Sequence, residues 1–499
     1  MTASPANLKL TIVGIENRTT TFTVEDGMLV VARPGEKKWP RIRTTLGHVL
    51  WAEVKGDSLE VSFLARRKST SPLAVVRLTG TVQEAEADLA SAFTESLMDA
   101  AYAGVKRQRK LKVFVNPKSG PGNGIVYYKK RIEPIFQAAR CAVDPTFTDY
   151  PGHAQELIKE LDLEQCDAVV VVSGDGLVHE VINGFAQHRD PEGAFRVPIA
   201  PVACGSGNGL PLNLLGPQDG YDVCAGALNA IKGKPMHIDL CSVTQKDKTV
   251  YSFMSQTVGL FADLDIGTEW LRFLGSTRFV VGFVIEVLKM KRCPVKLSIK
   301  VADSDKKQMV QKLHGYHAKA RACTSPAEVP ISAEDTAADD DSTTAPSSAP
   351  PLSPTDPKAS SPLSPPDSEG WSTFVRPLSY VYAGKGPYVS RDLMQFPVSI
   401  PDDGLVDIVA QEITTRKAMI DAMDESEQGM QYWLDTQHYF RASAYRVEPY
   451  SPKGCFSVDG EEYPFEPFQV ECHRGMATVL SPCGYYQAEF RLPDESKAS

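Results

Sequence analysis

Asp175 stands between two glycines in Ser173-Gly-Asp-Gly176, directly after the apolar run Val169–Val172 and before the amphipathic stretch Leu177-Val-His-Glu-Val-Ile-Asn-Gly184. This pattern reads as a strand, a tight turn and a helix N-terminus. Glycines on both sides of a turn permit a sharp bend and let a large anion approach the backbone amides. A carboxylate at that point can take a proton from a reacting hydroxyl or hold a metal ion. Aspartate is also common in turns for purely conformational reasons, so this residue alone leaves the choice open.

Two more segments have the same form, Lys112-Val-Phe-Val-Asn-Pro-Lys-Ser-Gly-Pro-Gly-Asn-Gly124 and Val197-Pro-Ile-Ala-Pro-Val-Ala-Cys-Gly-Ser-Gly-Asn-Gly209. One Gly-rich turn is weak evidence. Three at the ends of successive apolar strands are not, because in an open α/β sheet such turns converge on the ligand crevice beyond the carboxyl ends of the strands. From Lys112 to about Met236 strand and helix alternate, which predicts a Rossmann-like, mostly parallel sheet with helices on its faces. Beyond it the chain turns β-rich, with strands expected at Val295–Val301, Gly404–Val409 and Phe468–Cys472 and one long amphipathic stretch from Ile266 to Met290. A second, mainly antiparallel domain is expected there, with the site in the cleft between the two.

At this point the residues resemble a family. Ser173-Gly-Asp-Gly-Leu-Val-His-Glu-Val-Ile-Asn-Gly184 with Gly205-Ser-Gly-Asn-Gly209 is similar to the catalytic core of the diacylglycerol kinase and sphingosine kinase superfamily, and the His-Glu-Val-x-Asn-Gly continuation is nearest to sphingosine (long-chain base) kinases. The likeness extends to Ser255, Gly259–Asp265, Arg272, Arg278 and Val458-Asp-Gly-Glu461, and spans about residues 110–300 and 375–490.

The resemblance implies an ATP- and Mg²⁺-dependent lipid kinase that phosphorylates the primary hydroxyl of a sphingoid base, with Asp175 as the base. It assigns Asn116, Pro117, Lys118 and Thr148 to the nucleotide, and Ser173, Gly174, Gly205, Ser206 and Gly207 to its phosphates. Arg272 and Arg278 fall on cationic positions that would stabilise charge on the transferred group. Asp459, Gly460 and Glu461 fall on nucleotide positions, with Asp459 and Glu461 as metal ligands and Asp459 as the rival base. Ser255 and Asp265 fall on head-group positions, and an aspartate there suits the cationic amine of a long-chain base. His179 and Glu180 are expected to orient the site. Diacylglycerol kinase, ceramide kinase and a catalytically silent lipid-binding scaffold are the alternatives.

The domain plan is a β-rich module at 1–105, closed by a helix over Glu84–Tyr102 and either pleckstrin-homology-like or a plain β domain. After it come a nucleotide-binding domain at 110–236 and a β-rich lipid-binding domain at 237–322 and 371–490. The Ser/Pro-rich insert at 323–370 has too little apolar surface to offset its ordering entropy and should be disordered. Ser353, Ser361 and Ser364 each precede proline and are candidates for proline-directed phosphorylation. The basic pentad Lys106–Lys110 reads as a solvated linker or a contact for anionic lipid. Asp403 and Asp407 resemble a carboxylate pair that holds a structural metal in some bacterial lipid kinases, although a turn and then a strand is the plainer reading.

A formal charge of −9 over 499 residues argues against nucleic acid as the main partner. The ten cysteines form no Cys-x-x-Cys pair of the kind zinc or redox chemistry uses. No basic-then-apolar leader opens the sequence, and no run reaches the roughly 18 apolar residues needed to span a bilayer. The expectation is a cytoplasmic enzyme at a peripheral membrane surface, with a homodimer compatible. There is no Walker-type loop, and His188-Arg-Asp190 copies the protein-kinase catalytic loop only in its first three letters.

Overall fold

A computed structural model describes residues 9–14, 18–35, 41–120, 122–267, 277–289, 291–324 and 361–493, without the side chains of 277–280 and 323–324. The first seven strands are β1 (Lys9–Gly14), β2 (Thr19–Glu25), β3 (Met28–Ala32), β4 (Ile42–Thr45), β5 (Val49–Lys55), β6 (Ser58–Arg66) and β7 (Leu73–Thr81). They form one antiparallel sheet in the order β4-β3-β2-β1-β7-β6-β5, with the Ala87–Ala101 helix packed on it through Ala90, Phe93, Leu97 and Met98.

This N-terminal module is firmly joined to the rest of the chain. Arg66 pairs with Asp219 and reaches Asp222 at 3.4 Å, while Arg140 pairs with Glu53 and lies 4.6 Å above the Trp51 ring. The basic pentad is part of this join. Arg109 is buried and donates to Ala230 O at 2.8 Å and Gly233 O at 2.7 Å, closing the C-terminal end of the Val223–Lys232 helix, where cations and donors are favoured. Lys106 pairs with Asp167 at 2.7 Å and Arg107 with Asp99 at 2.6 Å. Neither a free linker nor a lipid-facing patch describes a segment whose charges are spent on the protein itself.

The next four strands are parallel: β8 (Lys110–Val115), β9 (Ala142–Phe147), β10 (Ala168–Ser173) and β11 (Ile199–Ala203), in the order β9-β8-β10-β11. The four valines of β10 are fully buried because helices cover both faces of a parallel sheet. The remaining strands are β12 (Lys234–Gln245), β13 (Lys248–Ser252), β14 (Ser255–Gly259), β15 (Val295–Asp303), β16 (Ser372–Thr373), β17 (Leu378–Gly384), β18 (Val406–Glu412), β19 (Gln437–Pro449), β20 (Phe456–Val458), β21 (Glu461–Tyr463) and β22 (Phe468–Ser481). Pairing among them is antiparallel, as the β-rich reading requires.

The two halves are one sheet. β22 lies parallel to β11 at its C-terminal end and antiparallel to β19 at its N-terminal end, while β12 runs beside it throughout. The expected boundary at 236/237 therefore falls inside a strand. β12 shifts register between Ile238 and Leu240, and the bulge residue, Asp239, is buried there. Its carboxylate accepts from Gly404 N at 2.8 Å and Gly475 N at 2.7 Å and pairs with the Lys385 ammonium at 3.0 Å.

Lys385 also donates to Asp403 at 3.0 Å and to Leu405 O at 2.7 Å, and Arg441 pairs with Asp403 and lies 3.5 Å from Asp407. Residues 402–412 form a turn and then a strand, and side-chain cations of the chain face Asp403 and Asp407. Burial works against the Lys385 charge, yet Asp239 and Asp407 hold its pKa above the ordinary lysine value.

The expected insert is too long at its C-terminal end. Residues 361–370 are folded: Ser364 N donates to Thr373 O, and Asp367 accepts from Trp371 N, each at 2.9 Å. Trp371 anchors the segment, buried beneath Arg446 at 4.0 Å and Lys300 at 4.8 Å from its ring centre. At the other end the Lys306–Thr324 helix runs past the expected limit of 322. Ser353 lies outside the described residues.

Candidate active site

The turns after β8, β10 and β11 touch one another. Asn116 N donates to Val172 O at 3.2 Å, Cys204 N to Ser173 O at 3.0 Å, and Asp175 N to Gly207 O at 3.1 Å. Ser119 and Ser173 face each other with hydroxyls 3.3 Å apart. The glycines are required by this closeness: a β-carbon on Gly174 would stand 2.5 Å from Gly207 O, and one on Gly205 2.4 Å from Gly174 Cα. Asn208 ties the third turn, accepting from Gly205 N at 3.0 Å and donating to Gly205 O at 2.7 Å. Asn116 caps its own loop by accepting from Lys118 N at 2.9 Å, beside Pro117. Thr148, at the end of β9, joins the same edge through Val115 O at 2.9 Å.

Asp175 opens the Asp175–Ala186 helix and points at a second helix start. Its carboxylate accepts from Gly209 N at 2.6 Å and Leu210 N at 3.1 Å, the first amides of the Gly209–Asp219 helix. Burial pushes its pKa up to about 6; those two amides oppose the shift, and the charge of Asp459 adds to it. The result is a carboxylate poised close to neutral pH, where a general base works best.

Asp459 differs from expectation. One oxygen accepts from Ser252 Oγ at 2.7 Å, Met254 N at 3.0 Å and Ser255 N at 2.8 Å; the other accepts from Phe253 N at 3.2 Å and bonds His179 Nδ1 at 2.8 Å. Five donors fill the roughly four lone-pair sites of a carboxylate. The readings of Asp459 as metal ligand and as rival base are therefore corrected to that of an internal clasp.

Asp459 and Gly460, at φ 51° and 86°, form the two-residue turn between β20 and β21, for which Asp-Gly is well suited. The turn carries Glu461 to the start of the Asp175–Ala186 helix, where a β-carbon on Gly176 would stand 2.8 Å from its Oε1. Among the described residues no three His, Cys, Asp or Glu side chains group as a metal cage. Mg²⁺ in phosphoryl-transfer sites leans on one or two carboxylates plus substrate phosphates, and the exposed Glu461 carboxylate fits that requirement.

Of the two residues expected at the head group, Ser255 is buried at the start of β14 and Asp265 is half-buried in the Leu260–Gly267 helix. The aspartates of Ala262-Asp-Leu-Asp265 separate in role. Asp263 pairs with Lys291 at 2.9 Å, whereas Asp265 accepts from Ser457 Oγ at 3.4 Å. Tyr382 completes this corner. Burial, and next the charge of Asp265, hold its phenol well above the ordinary tyrosine pKa, and the hydroxyl is hydrogen-bonded to Ser255. Phe261, Leu264, Phe283, Tyr380 and Phe396 form the apolar wall behind it.

Arg272 lies outside the described residues, and of Arg278 only the backbone is described, in the Thr277–Lys289 helix. Leu271, Phe273 and Leu274 fall outside the described residues and the side chains of Phe279 and Val280 are not described, whereas Phe283 is buried. Glu180 accepts from Ala154 N at 3.2 Å, holding the loop after Thr148. Tyr382, Ser457 and Tyr463 escaped sequence reasoning. Tyr463 alone left a signal, two residues beyond Glu461 on the same hairpin.

The fold and this edge of the sheet define a lipid kinase of the diacylglycerol kinase type, and the family described as diacylglycerol kinase catalytic domain matches residues 110–243. A domain of unknown function matches residues 17–103. Sphingoid long chain base kinase 4 of Schizosaccharomyces pombe is 30% identical over 464 residues, covering 92% of each chain. Sphingoid long chain base kinase 5 of Saccharomyces cerevisiae is 29% identical over 79% of this chain and 62% of its own. Human sphingosine kinase 1 is 24% identical over 76% of this chain and 92% of its own. The chain belongs to the sphingoid long-chain-base kinase family.

Proposed function

We infer that the protein transfers the terminal phosphoryl group of ATP to the primary hydroxyl of a sphingoid long-chain base. The buried Asp175 carboxylate at the meeting point of three Gly-rich turns carries this reading. As the acceptor oxygen bonds to phosphorus and the bridging bond to the leaving diphosphate breaks, the hydroxyl proton passes to Asp175. A base of pKa about 6 is ionised at neutral pH and ready for that proton.

The turns after β8, β10 and β11 bind the phosphates through backbone groups, and Glu461 would hold Mg²⁺, which would supply positive charge to the transferred phosphate. Arg272 and Arg278 supply the cations. Asp265, steadied by Ser457, pairs with the amine of the long-chain base, and Ser255 with Tyr382 fixes the neighbouring hydroxyl.

The same lipid half meets the membrane. Val281, Val284, Ile285 and Leu288 repeat at i, i+3, i+4, i+7 along one side of the Thr277–Lys289 helix and are exposed, Leu288 by 59%. Phe283 and Val287, on its other side, pack into the apolar wall of the lipid corner. Arg292 flanks the exposed stripe and suits an anionic head group, while Lys289 and Lys291 pair with Glu286 and Asp263. Among the described residues no helix is long and apolar enough to cross a membrane, so this stripe is read as lying on one.

Phosphate transfer from labelled ATP to sphinganine, phytosphingosine, ceramide and diacylglycerol tests the reading. Transfer to the free bases is expected, lowered about 10²–10⁴-fold in Asp175→Asn, the usual range for a general base. Transfer to the free bases is expected to be lost in Asp265→Asn as well. Transfer to diacylglycerol that survives Asp265→Asn would overturn the substrate assignment.

A further inference from the structure

His179 is buried one turn into the Asp175–Ala186 helix, and both its ring nitrogens are engaged by the hairpin that carries Glu461. Nδ1 lies 2.8 Å from Asp459 Oδ2 and Nε2 3.0 Å from the Tyr463 hydroxyl. The tautomer is set by the partners. Asp459 already accepts four other hydrogen bonds, so Nδ1 donates to it, which leaves Nε2 to accept from the phenol.

We propose that His179 and Tyr463 are positioning residues that fix Glu461 over the nucleotide-facing first turn of the helix, and that Asp459 ties this arrangement to the lipid corner. The hairpin is short: β20 and β21 have three residues each, and Glu461 is exposed at the turn. So short a ribbon needs more than one anchor to hold its direction. Asp459 in the turn and Tyr463 at the far end of β21 are both pinned to one imidazole on the helix that begins with Asp175. The same Asp459 carboxylate accepts from the backbone of Phe253, Met254 and Ser255. One histidine thus registers a lipid-side loop and a nucleotide-side carboxylate against the same helix. The proposal rests on the reading of Glu461 as a nucleotide-side ligand.

Mg·ATP affinity, measured by titration calorimetry on the full chain without lipid, tests it independently of turnover. His179→Ala is expected to weaken Mg·ATP binding by about 10–100-fold, the usual effect of removing a residue that orients a metal ligand. His179→Asn, whose amide can still donate toward Asp459, is expected to recover most of that loss, and Tyr463→Phe to cost less than His179→Ala. Because His179 would act through Glu461, adding Glu461→Gln to His179→Ala should cost no more than the larger single change. The KM for the sphingoid base should hold, since Asp459 keeps its four other donors.

Additive losses, or a His179→Asn variant as weak as His179→Ala, would overturn the positioning role. If His179→Ala does not fold, Tyr463→Phe carries the same comparison with Glu461→Gln, since it keeps the ring and drops only the donor. Unchanged Mg·ATP affinity in Glu461→Gln alone would instead overturn the nucleotide reading of Glu461.

Discussion

The nucleotide side and the lipid side of this site are built by opposite means. The first is backbone: glycines at 120, 174 and 205 bring three turns so close that main-chain atoms meet, and each turn is contiguous in sequence. The second is side chain: Ser255, Asp265, Tyr382, Ser457 and Asp459 come from four separate stretches and meet only because β14 pairs with both β17 and β20. A backbone site tolerates little change in shape and is indifferent to most side-chain chemistry. A side-chain site is the reverse, since its groups can be altered singly while the strands that carry them stay paired.

The largest expected effect lies where the two sides are locked together. Lys385 is buried between Asp239 and Asp403, and Lys385→Met leaves Asp239 without its cation and Asp403 with Arg441 alone. Breaking such a buried pair costs about 3–5 kcal/mol, which urea denaturation would register as a lower midpoint. A stable Lys385→Met protein with normal activity would show that the bulge at Asp239 needs no ionic lock. Next comes Gly205→Ala, whose new methyl has only backbone to displace. Overpacking of this kind costs about 1–3 kcal/mol, and the loss should appear in ATP binding while affinity for the lipid is kept. Equal losses on both sides would erase the contrast drawn above.

The same contrast explains what was legible in the sequence. The three turns could be read because strand, glycines and carboxylate lie within a dozen residues, and Asp265 and Ser255 were reached through the family motif. Tyr382 and Ser457 could not, since alternation in a β-strand marks a tyrosine or serine as buried without saying what it faces. Asp459 was found and misassigned. Its five donors are mostly backbone amides of residues 253–255, and no side-chain pattern announces them. The basic pentad failed for a related reason, since Arg109 spends its charge on carbonyls at the end of a helix more than a hundred residues later. The insert was recognised by composition, but its last ten residues fold against Trp371, a long-range anchor that composition does not weigh.

Acidification should separate the two sides without mutation. Asp175 has a pKa raised to about 6, so kcat/KM is expected to fall through a single limb near that value, by about tenfold per pH unit below it, as the base becomes protonated. The linked stability has the opposite sign. A carboxylate whose folded pKa is raised contributes stability below its unfolded value, and that contribution is lost as pH rises through about 6. The burial that raises the Asp175 pKa therefore works against the fold at neutral pH. An activity profile flat down to about pH 5 would remove Asp175 from the base role.

The smallest expected effect belongs to one hydroxyl. Tyr382→Phe keeps the buried ring, and with it the packing against Phe261 and Phe396 at 5.1 and 5.6 Å between ring centres, so the change is chemical and scarcely steric. What goes is the hydrogen bond to Ser255, next to Asp265. A net hydrogen bond is worth about 0.5–1.5 kcal/mol, which corresponds to a two- to twelvefold rise in KM for the sphingoid base. ATP sees none of this, because Tyr382 lies among the lipid-side residues, so KM for ATP should hold. A tyrosine that served only the fold would behave differently, lowering the melting temperature and shifting both constants together. The side-chain character of the lipid half therefore stands or falls on whether one oxygen atom moves one KM and leaves the other unchanged.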